Sequence, residues 1–561
     1  MLKLSGNYCS LFVDYRNMIK SLNNRFKNSR PSSSITSAAF IISAAGVLSR
    51  VLGMARDRIL AHQFGAGDTL DVYYAAFRIP DLIYNLLILG ALSAAFIPVF
   101  TSLLAEENKK EAWRLANGML SAIVLTLVTI SLILIIFTPA LMRLVTPGFS
   151  ADKMEQVILL TRIMFLSPIF LSISGLFGGI LNSFKRFLVY SMAPVMYNIG
   201  IIIGAVLFVK YWGVTGLAWG VALGAFLHMA IQYPAVKISG FRYKFCLDFK
   251  NSHFRKVIRL MIPRALSLTM NQINLLVVTI IASTLAAGSL AVFNFANNLQ
   301  AFPLGIFGIP FALAIFPTLS HFAAKKEKHK FVKSFSKTFR QILFLVVPAS
   351  VLMLVLRAQI VRVVLGTGRF DWEDTTLTFQ CLGLFAISLF AQSLVPLLAR
   401  SFFALHNTRT PFYAGLVSGG VNLILALVLA RYMGVLGLAL ALSVANILNM
   451  FLLMFILHLK LKGLDDKNIL TSTVKIAFSA LVAGLIAQLS KYAIHPFINL
   501  DTFLGVFAQM SFCVAAGLIT YLLFSQLFNL EEYHSVRKFI TAKIFRTKQT
   551  IPEDPTEASG I

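Results

Sequence analysis

FIPVFTSLLAEENKKEAW (96–113) returns 219 residues later as IFPTLSHFAAKKEKHKFV (315–332). In both, an apolar helix runs out into a charged turn and back into a second helix. Two more pairs keep nearly the same offset: LMRLVTPGF (141–149) with IVRVVLGTGRF (360–370), and YWGVTGLAWG (211–220) with YMGVLGLALA (432–441). Chance similarity of apolar helices does not yield three matches in chain order at one spacing. The chain therefore reads as a duplication, with one unit over 36–236, a second over 260–459, and a basic, aromatic connector at 237–259. Each unit is expected to hold six membrane spans. An even number gives both the same orientation, so they are parallel repeats related by an axis along the membrane normal.

Apolar residues make up 57% of the 561 positions and charged residues 13%, against roughly 25% charged in a typical soluble domain. Apolar runs long enough to cross a hydrocarbon core of about 30 Å recur along the chain. They are expected at 36–62, 71–102, 115–142, 155–183, 188–209, 213–236, 260–285, 289–319, 338–365, 375–403, 411–430, 434–459, 472–494 and 502–527. Lipid offers no partner to backbone N–H and C=O groups, so each span should be helical. The expected fold is an all-α polytopic membrane protein of about 14 transmembrane helices: two six-helix lobes plus two C-terminal helices at 472–527. These last two are expected either to pack against one lobe and extend a groove or to bind a partner. The connector reads as an amphipathic piece along the inner surface or as a plain loop.

The formal charge of +27 does not point to nucleic acid. The basic residues gather in alternate loops, such as Lys109, Lys110 and Arg114, or Lys325, Lys326, Lys328 and Lys330. The intervening loops are sparse, with Lys210, Arg431 and Lys491. The positive-inside rule places the rich set in the cytoplasm, together with the tails 1–35 and 528–561. The first 35 residues lack the apolar core of a signal peptide. Four scattered cysteines show neither metal nor redox spacing. No nucleophile–base pairing and no P-loop is present, so no catalytic residue, metal or cofactor is expected. GTGRFD (366–371) reads as a loop whose glycines suit a turn.

The charges inside the spans carry the functional reading. Asp71, Tyr74, Arg78, Asp81 and Asn85 share one helix face. Gly46, Arg50, Gly53 and Asp57 form a stripe on the first span, with Ser49 and Arg56 beside it. Arg50 lies about 22 Å along its helix, where an arginine costs at least about 2.5–3.5 kcal/mol. Such residues look into a protein cavity. An ion pair of Arg50 with Asp57 or Asp71 that only fixes helix packing is one reading. The other is an anion clamp, since a guanidinium fork matches phosphate, with Arg56 and Arg78 sharing the role. Arg58 is expected to snorkel at the outer interface. Asp57, Asp71 and Asp81 are candidates to orient the arginines, to titrate, or to couple a cation. The matching helix of the second repeat carries amides instead (Asn294, Asn297, Asn298, Gln300), as does the span before it (Asn271, Gln272). The expected cavity is therefore charged on one side only, unless the amides merely bridge helices.

SRVLGMARD (49–57), FGAG (64–67), Asp71, AFRIP (76–80), GALSAAFIP (90–98), TPGF (146–149), FPLGIFG (302–308) and GRFD (368–371) together resemble the MurJ (MviN) lipid II flippases. These belong to the multidrug/oligosaccharidyl-lipid/polysaccharide exporter superfamily. The resemblance covers about 36–527. It implies flipping of undecaprenyl-diphosphate-linked disaccharide-pentapeptide from the inner to the outer leaflet of the bacterial cytoplasmic membrane, by alternating access, for peptidoglycan synthesis and cell shape. It implies cavity-lining roles for Arg50 and Arg56 with Asp57 and Asp71 beside them, and a tail-holding groove at the C-terminal helices. The substrate-contacting candidates are thus Ser49, Arg50, Arg56, Asp57, Asp71, Arg78 and Asn298. The family pattern has an arginine pair at Tyr84–Asn85, an acid at Leu89 and Asp-Arg at Asn297–Asn298. This chain lacks those charges, so anion binding rests on Arg50, Arg56 and Arg78. Membrane lipids and cell-wall synthesis proteins are the expected partners. The membrane potential or a returning cation is the expected driving force. Two other readings remain: a cation-coupled drug or polysaccharide-lipid exporter, and a non-transporting scaffold for cell-wall enzymes.

Overall fold

The computed structural model describes residues 35–86, 91–534 and 537. The expectations for residues 1–34, for Leu89 and for most of the tail 528–561 concern residues outside that range, as does that for the Asn271 side chain. The described chain is helical, with no strand among these residues. The first repeat runs through α1 (Ile35–Phe64), α2 (Asp68–Ala76), α3 (Arg78–Tyr84), α4 (Ala91–Ala105), α5 (Lys109–Val145), α6 (Ala151–Met164), α7 (Leu166–Ser183), α8 (Phe187–Ile203), α9 (Val209–Trp212), α10 (Thr215–Ala230) and α11 (Tyr233–Ile238). The second follows with α12 (Ser252–Ser283), α13 (Ser289–Pro303), α14 (Ile309–Ala324), α15 (Lys328–Val355), α16 (Arg357–Val364), α17 (Trp372–Ala404), α18 (Arg409–Met433) and α19 (Val435–Leu461). Then come α20 (Asp466–Ile494) and α21 (Phe503–Leu527). Eleven helical runs among the described residues are long and apolar enough to cross a membrane. The chain is a multi-pass membrane protein.

The span expected at 71–102 is broken at Phe77, between α2 and α3. Pro80 has no N–H to offer the carbonyl of Ala76, which removes one helical bond at the break. Pro168 does the same in the fourth span, at the break at Phe165 between α6 and α7.

The duplication is written into the turns. Glu107 and Lys326 both take positive φ, 58° and 57°. The residue after each donates its N–H five positions back, Asn108 to Leu103 O at 3.0 Å and Glu327 to Phe322 O at 2.9 Å. Lys185 and His406 form a second such pair, with φ of 57° and 55°. Gly213 and Gly434 form a third, at 57° and 56°. Three turns of one shape at corresponding positions are a stronger mark of repetition than side-chain identity, because apolar side chains drift while turn conformations are fixed by sterics.

By contact the described chain falls into two compact units. One holds residues up to 295 with 364–374 and 423–438; the other holds 296–363, 375–422 and 439 onward. This division differs from the repeat boundary, because α12 packs on α3, α4 and α5 of the first repeat and the start of α13 is bonded to Asp71 and Arg78. In the first unit α8 and α10 meet through small residues. A Cβ on Gly200 would sit 2.2 Å from Gly224 Cα, and one on Gly220 would sit 2.5 Å from Gly204 Cα. This is the close backbone approach that small-xxx-small spacing permits in membranes. Gly220→Val should cost about 1–3 kcal/mol or more through overpacking. A lowered melting temperature of the purified protein would show it, and an unchanged one would contradict the packing.

In the second unit α20 and α21 pack on α15 around Leu352, Leu356, Ala487 and Cys513. Pro348 leaves the carbonyl of Phe344 without its helical donor, and the Tyr521 hydroxyl of α21 donates to it at 2.8 Å. The two extra helices are thus docked on the second repeat, as the first of the two sequence-based alternatives holds. Of the connector, residues 252–259 open α12, while 241–248 have no regular structure and are tied to α5: Asn117 donates to Arg242 O at 3.2 Å and accepts from Lys244 N at 2.9 Å, and Ser121 Oγ accepts from Cys246 N at 3.2 Å. These two polar residues satisfy backbone groups that a helix would have satisfied internally.

Candidate functional site

A chamber of about 440 Å³ opens inside the first unit. Its walls are Gly46, Ser49 and Arg50 of α1, Tyr84 of α3, Ser174, Gly175, Gly179 and Asn182 of α7, Tyr190, Ser191 and Pro194 of α8, and His228 of α10. The space exists because small residues face it. A Cβ added to Gly46 meets nothing within 4 Å. Gly178 lets the Tyr190 ring lie flat on α7, where a Cβ would come within 2.8 Å of the ring. A volume of this size suits a small-molecule group, with a few polar side chains set in a mostly apolar wall.

Arg50, half-buried, lines this chamber. Arg56 does not. Its Nε and Nη2 donate to Asp57 Oδ1 at 3.0 and 2.8 Å, and its Nη1 donates to Asn198 Oδ1 at 3.2 Å. Asn198 in turn donates to the Ser49 carbonyl and hydroxyl at 3.3 and 3.4 Å, locking α1 to α8. Asp57, 5% exposed, is ion-paired with its neighbour Arg56.

Asp71 is 2% exposed and faces backbone. Its Oδ2 accepts from Gly288 N at 2.7 Å and its Oδ1 from Ala291 N at 2.9 Å. It thus satisfies orphan amides at the N-terminal end of α13, where a negative charge also suits the helix dipole. Gly288, at φ +84°, has no room for a side chain: a Cβ would lie 1.7 Å from Ala66 O. Arg78 Nη2 donates to Asn294 Oδ1 at 3.0 Å, one helical turn further along α13, while its Nε is buried without a partner. Asp81, one turn on from Arg78, is half-buried and within its electrostatic reach.

The ends of these helices are clasped as well. Arg369 N donates to His62 O at 3.0 Å, Ala66 N donates to Asp374 Oδ2 at 2.7 Å, and Arg58 Nη1 donates to Val364 O at 3.3 Å. Arg58 thus caps a helix carbonyl rather than reaching along lipid. GTGRFD is the clasping loop; Gly368 sits where a Cβ would be 2.3 Å from His62 O. Asn298 lies half-buried on the part of α13 that belongs to the second unit. There Gln300 donates to Asn297 Oδ1 at 2.9 Å and accepts from Gln392 of α17 at 3.0 Å, so these amides do bridge helices.

Sequence reasoning missed Asn198, Tyr190 and the α7–α10 network. In that network the Ser174 hydroxyl meets His228 Nδ1 at 2.6 Å and Gln232 donates to the same hydroxyl. Each is a polar residue on an apolar span, a signal that was present but drowned by the arginines. Among the described residues no cluster of His, Cys, Asp or Glu could hold a metal ion.

Comparison with known proteins adds to this geometry. A family model described as lipid II flippase MurJ matches residues 60–533. The chain is 32% identical over 443 residues to a probable lipid II flippase MurJ of Vibrio cholerae, covering 75% of this chain and 83% of that protein. It is 30% identical over 464 residues to one from Bdellovibrio bacteriovorus, covering 82% and 88%. Among solved structures it is similar to a lipid II flippase MurJ in an inward closed conformation, with TM-score 0.72, 24% identity, and coverage of 87% of this chain and 98% of that one. It is also similar to an inward-facing multidrug resistance MATE family transporter of the MOP superfamily, with TM-score 0.60, 14% identity, and coverage of 74% and 96%. The last two likenesses concern the fold.

Proposed function

Because the chain belongs to the lipid II flippase MurJ family, we propose that it moves lipid II, a diphosphate-linked peptidoglycan precursor, from the inner to the outer leaflet. The observation that carries this reading is the Arg50 chamber: a guanidinium fork beside hydroxyls, a carboxamide and two tyrosine rings. A phosphorylated sugar needs those groups, with the fork for phosphate and the hydroxyls and amide for ring substituents. A cationic drug would instead meet a like charge at Arg50, which disfavours the drug-exporter alternative.

Transport requires the chamber to face the two sides of the membrane in turn. The Asp71 bonds to α13, the Arg78–Asn294 bond and the clasp of loop 366–371 on the end of α1 are the contacts such a cycle must break and remake. Arg50 and Tyr84 act on the substrate, while Arg56, Asp57 and Asn198 hold α1 in place. Asp81 is the remaining candidate for coupling a cation, since Asp57 and Asp71 are engaged. With both termini and the basic loops in the cytoplasm, a diphosphate of roughly −2 moving outward across 100 mV gains about 4–5 kcal/mol. That is enough to drive flipping without a nucleotide.

Rescue of a bacterium depleted of its own flippase tests the reading. This chain should restore growth and the appearance of lipid II in the outer leaflet, and collapsing the membrane potential should slow that appearance. Growth without rescued flipping would favour the scaffold reading.

A further inference from the structure

Lys491 and Arg357 form a pair of cations with no acid between them. Both lie in the second unit, at the break between α15 and α16. The Lys491 ammonium donates to Val355 O, and Arg357 Nη1 donates to Leu354 O at 3.2 Å. The two cations thus cap consecutive carbonyls at the end of α15, and none of the ion pairs among the described residues involves either of them. The guanidinium lies 5.8 Å from the Phe379 ring, with its stem against Gly383, where a Cβ would come within 3.0 Å.

The surroundings hold both cations in place. Gln359 Nε2 donates to Gln509 Oε1 at 3.0 Å, and Gln509 Nε2 donates to Lys491 O at 3.3 Å, pinning α16, α20 and α21 together. Leu489, Tyr492 and Phe507 nearby expose their apolar faces. Lys491 stands at the end of α20 remote from the basic loops, which the charge asymmetry assigns to the outer side. Capping two carbonyls uses only a fraction of the donors that an ammonium and a guanidinium carry. Capping also needs no second cation, and like charges held together in a partly dry site call for an anion. At this depth the anions at hand are lipid phosphates.

We propose that Arg357 and Lys491 form a binding site for a lipid-borne phosphate in the outer leaflet, beside the two C-terminal helices. The phosphate belongs either to a resident anionic phospholipid or to a polyprenyl diphosphate arriving after transport; only the second source rests on the proposed function. The site itself stands on the cation geometry alone.

Native mass spectrometry of the purified full-length chain tests it, with phosphatidylglycerol, phosphatidylcholine and a polyprenyl diphosphate as probes. The Arg357→Gln, Lys491→Gln double variant keeps amide donors for the two carbonyls but loses both charges. It should retain at least one of the two anionic lipids tenfold less well than wild type, with phosphatidylcholine unaffected. An Arg357→Lys, Lys491→Arg variant should bind as wild type does. Loss confined to phosphatidylglycerol identifies the resident lipid, and loss confined to the polyprenyl diphosphate identifies the transported one. Equal retention of both anionic lipids by wild type and the double variant overturns the proposal, whether or not the chain flips lipid II. If the double variant does not fold, displacement of the bound lipid from wild type by inorganic diphosphate decides: displacement supports the site and its absence overturns it.

Discussion

Arg50→Ala should lower lipid II flipping in proteoliposomes about ten- to a hundredfold while leaving the melting temperature near that of wild type. The magnitude follows from charge-assisted hydrogen bonds, worth about 1.5–3 kcal/mol each, with about 1.4 kcal/mol per tenfold. The preserved stability follows from the position: Arg50 is half-buried against an open chamber, with vacant space beside Gly46. Arg50→Lys should recover only part of the rate, because an ammonium cannot present a planar fork. Arg56→Ala should behave differently. It strands the 5%-exposed Asp57 carboxylate and frees Asn198, so protein yield and melting temperature should fall along with the rate. A mutant pair with the opposite pattern would place the anion at Arg56.

Asp71→Asn is the second large effect. The carboxylate accepts from two backbone amides at once, and a carboxamide offers one oxygen and turns its NH₂ toward the other donor. Losing one charge-assisted bond and weakening the other costs about 3 kcal/mol. In a two-state cycle that is a shift of more than a hundredfold toward the state in which this contact is broken. Flipping should fall at least tenfold, because a carrier that cannot return is idle. Hydrogen exchange should report the cause locally, with the Gly288 and Ala291 amides losing protection while the α8–α10 contact keeps its own. Unchanged protection at those two amides would mean that the Asp71 contact does not hold the closed end together.

The fold was legible where the physics is local. Eleven of the fourteen expected spans followed from apolar length, while those expected at 36–62, 71–102 and 260–285 are not among the long apolar runs of the described residues; the duplication was read from three sequence matches at one offset. The breaks at Phe77 and Phe165 were not legible: Pro80 and Pro168 stand three residues after each, but Pro98, Pro139, Pro194 and Pro348 lie within unbroken helices. The site was legible in part. Arg50, Asp71 and Arg78 stood out because charge in a membrane span is costly. What sequence could not say is how that cost is met. Arg56 is neutralised by the adjacent Asp57, and Asp71 by backbone amides 217 and 220 positions away. Partners that distant, and partners that are backbone, leave no pattern along the chain. Asn198 was invisible for the same reason, although it links Arg56 to Ser49 across 142 to 149 positions. The irregular stretch 241–248 was not legible either, because the groups that hold its backbone, Asn117 and Ser121 of α5, lie more than a hundred positions away.

The central claim is that a phosphorylated lipid head docks in the Arg50 chamber, and photocrosslinking tests it most directly. A photoreactive amino acid placed at Ser191, on the chamber wall beside Tyr190, should capture lipid II during transport. Excess unlabelled lipid II should compete the capture away, and the Arg50→Ala background should lose it. Capture at the lipid-exposed Leu481 of α20 with none at Ser191, or capture at Ser191 that persists without Arg50, would contradict the account.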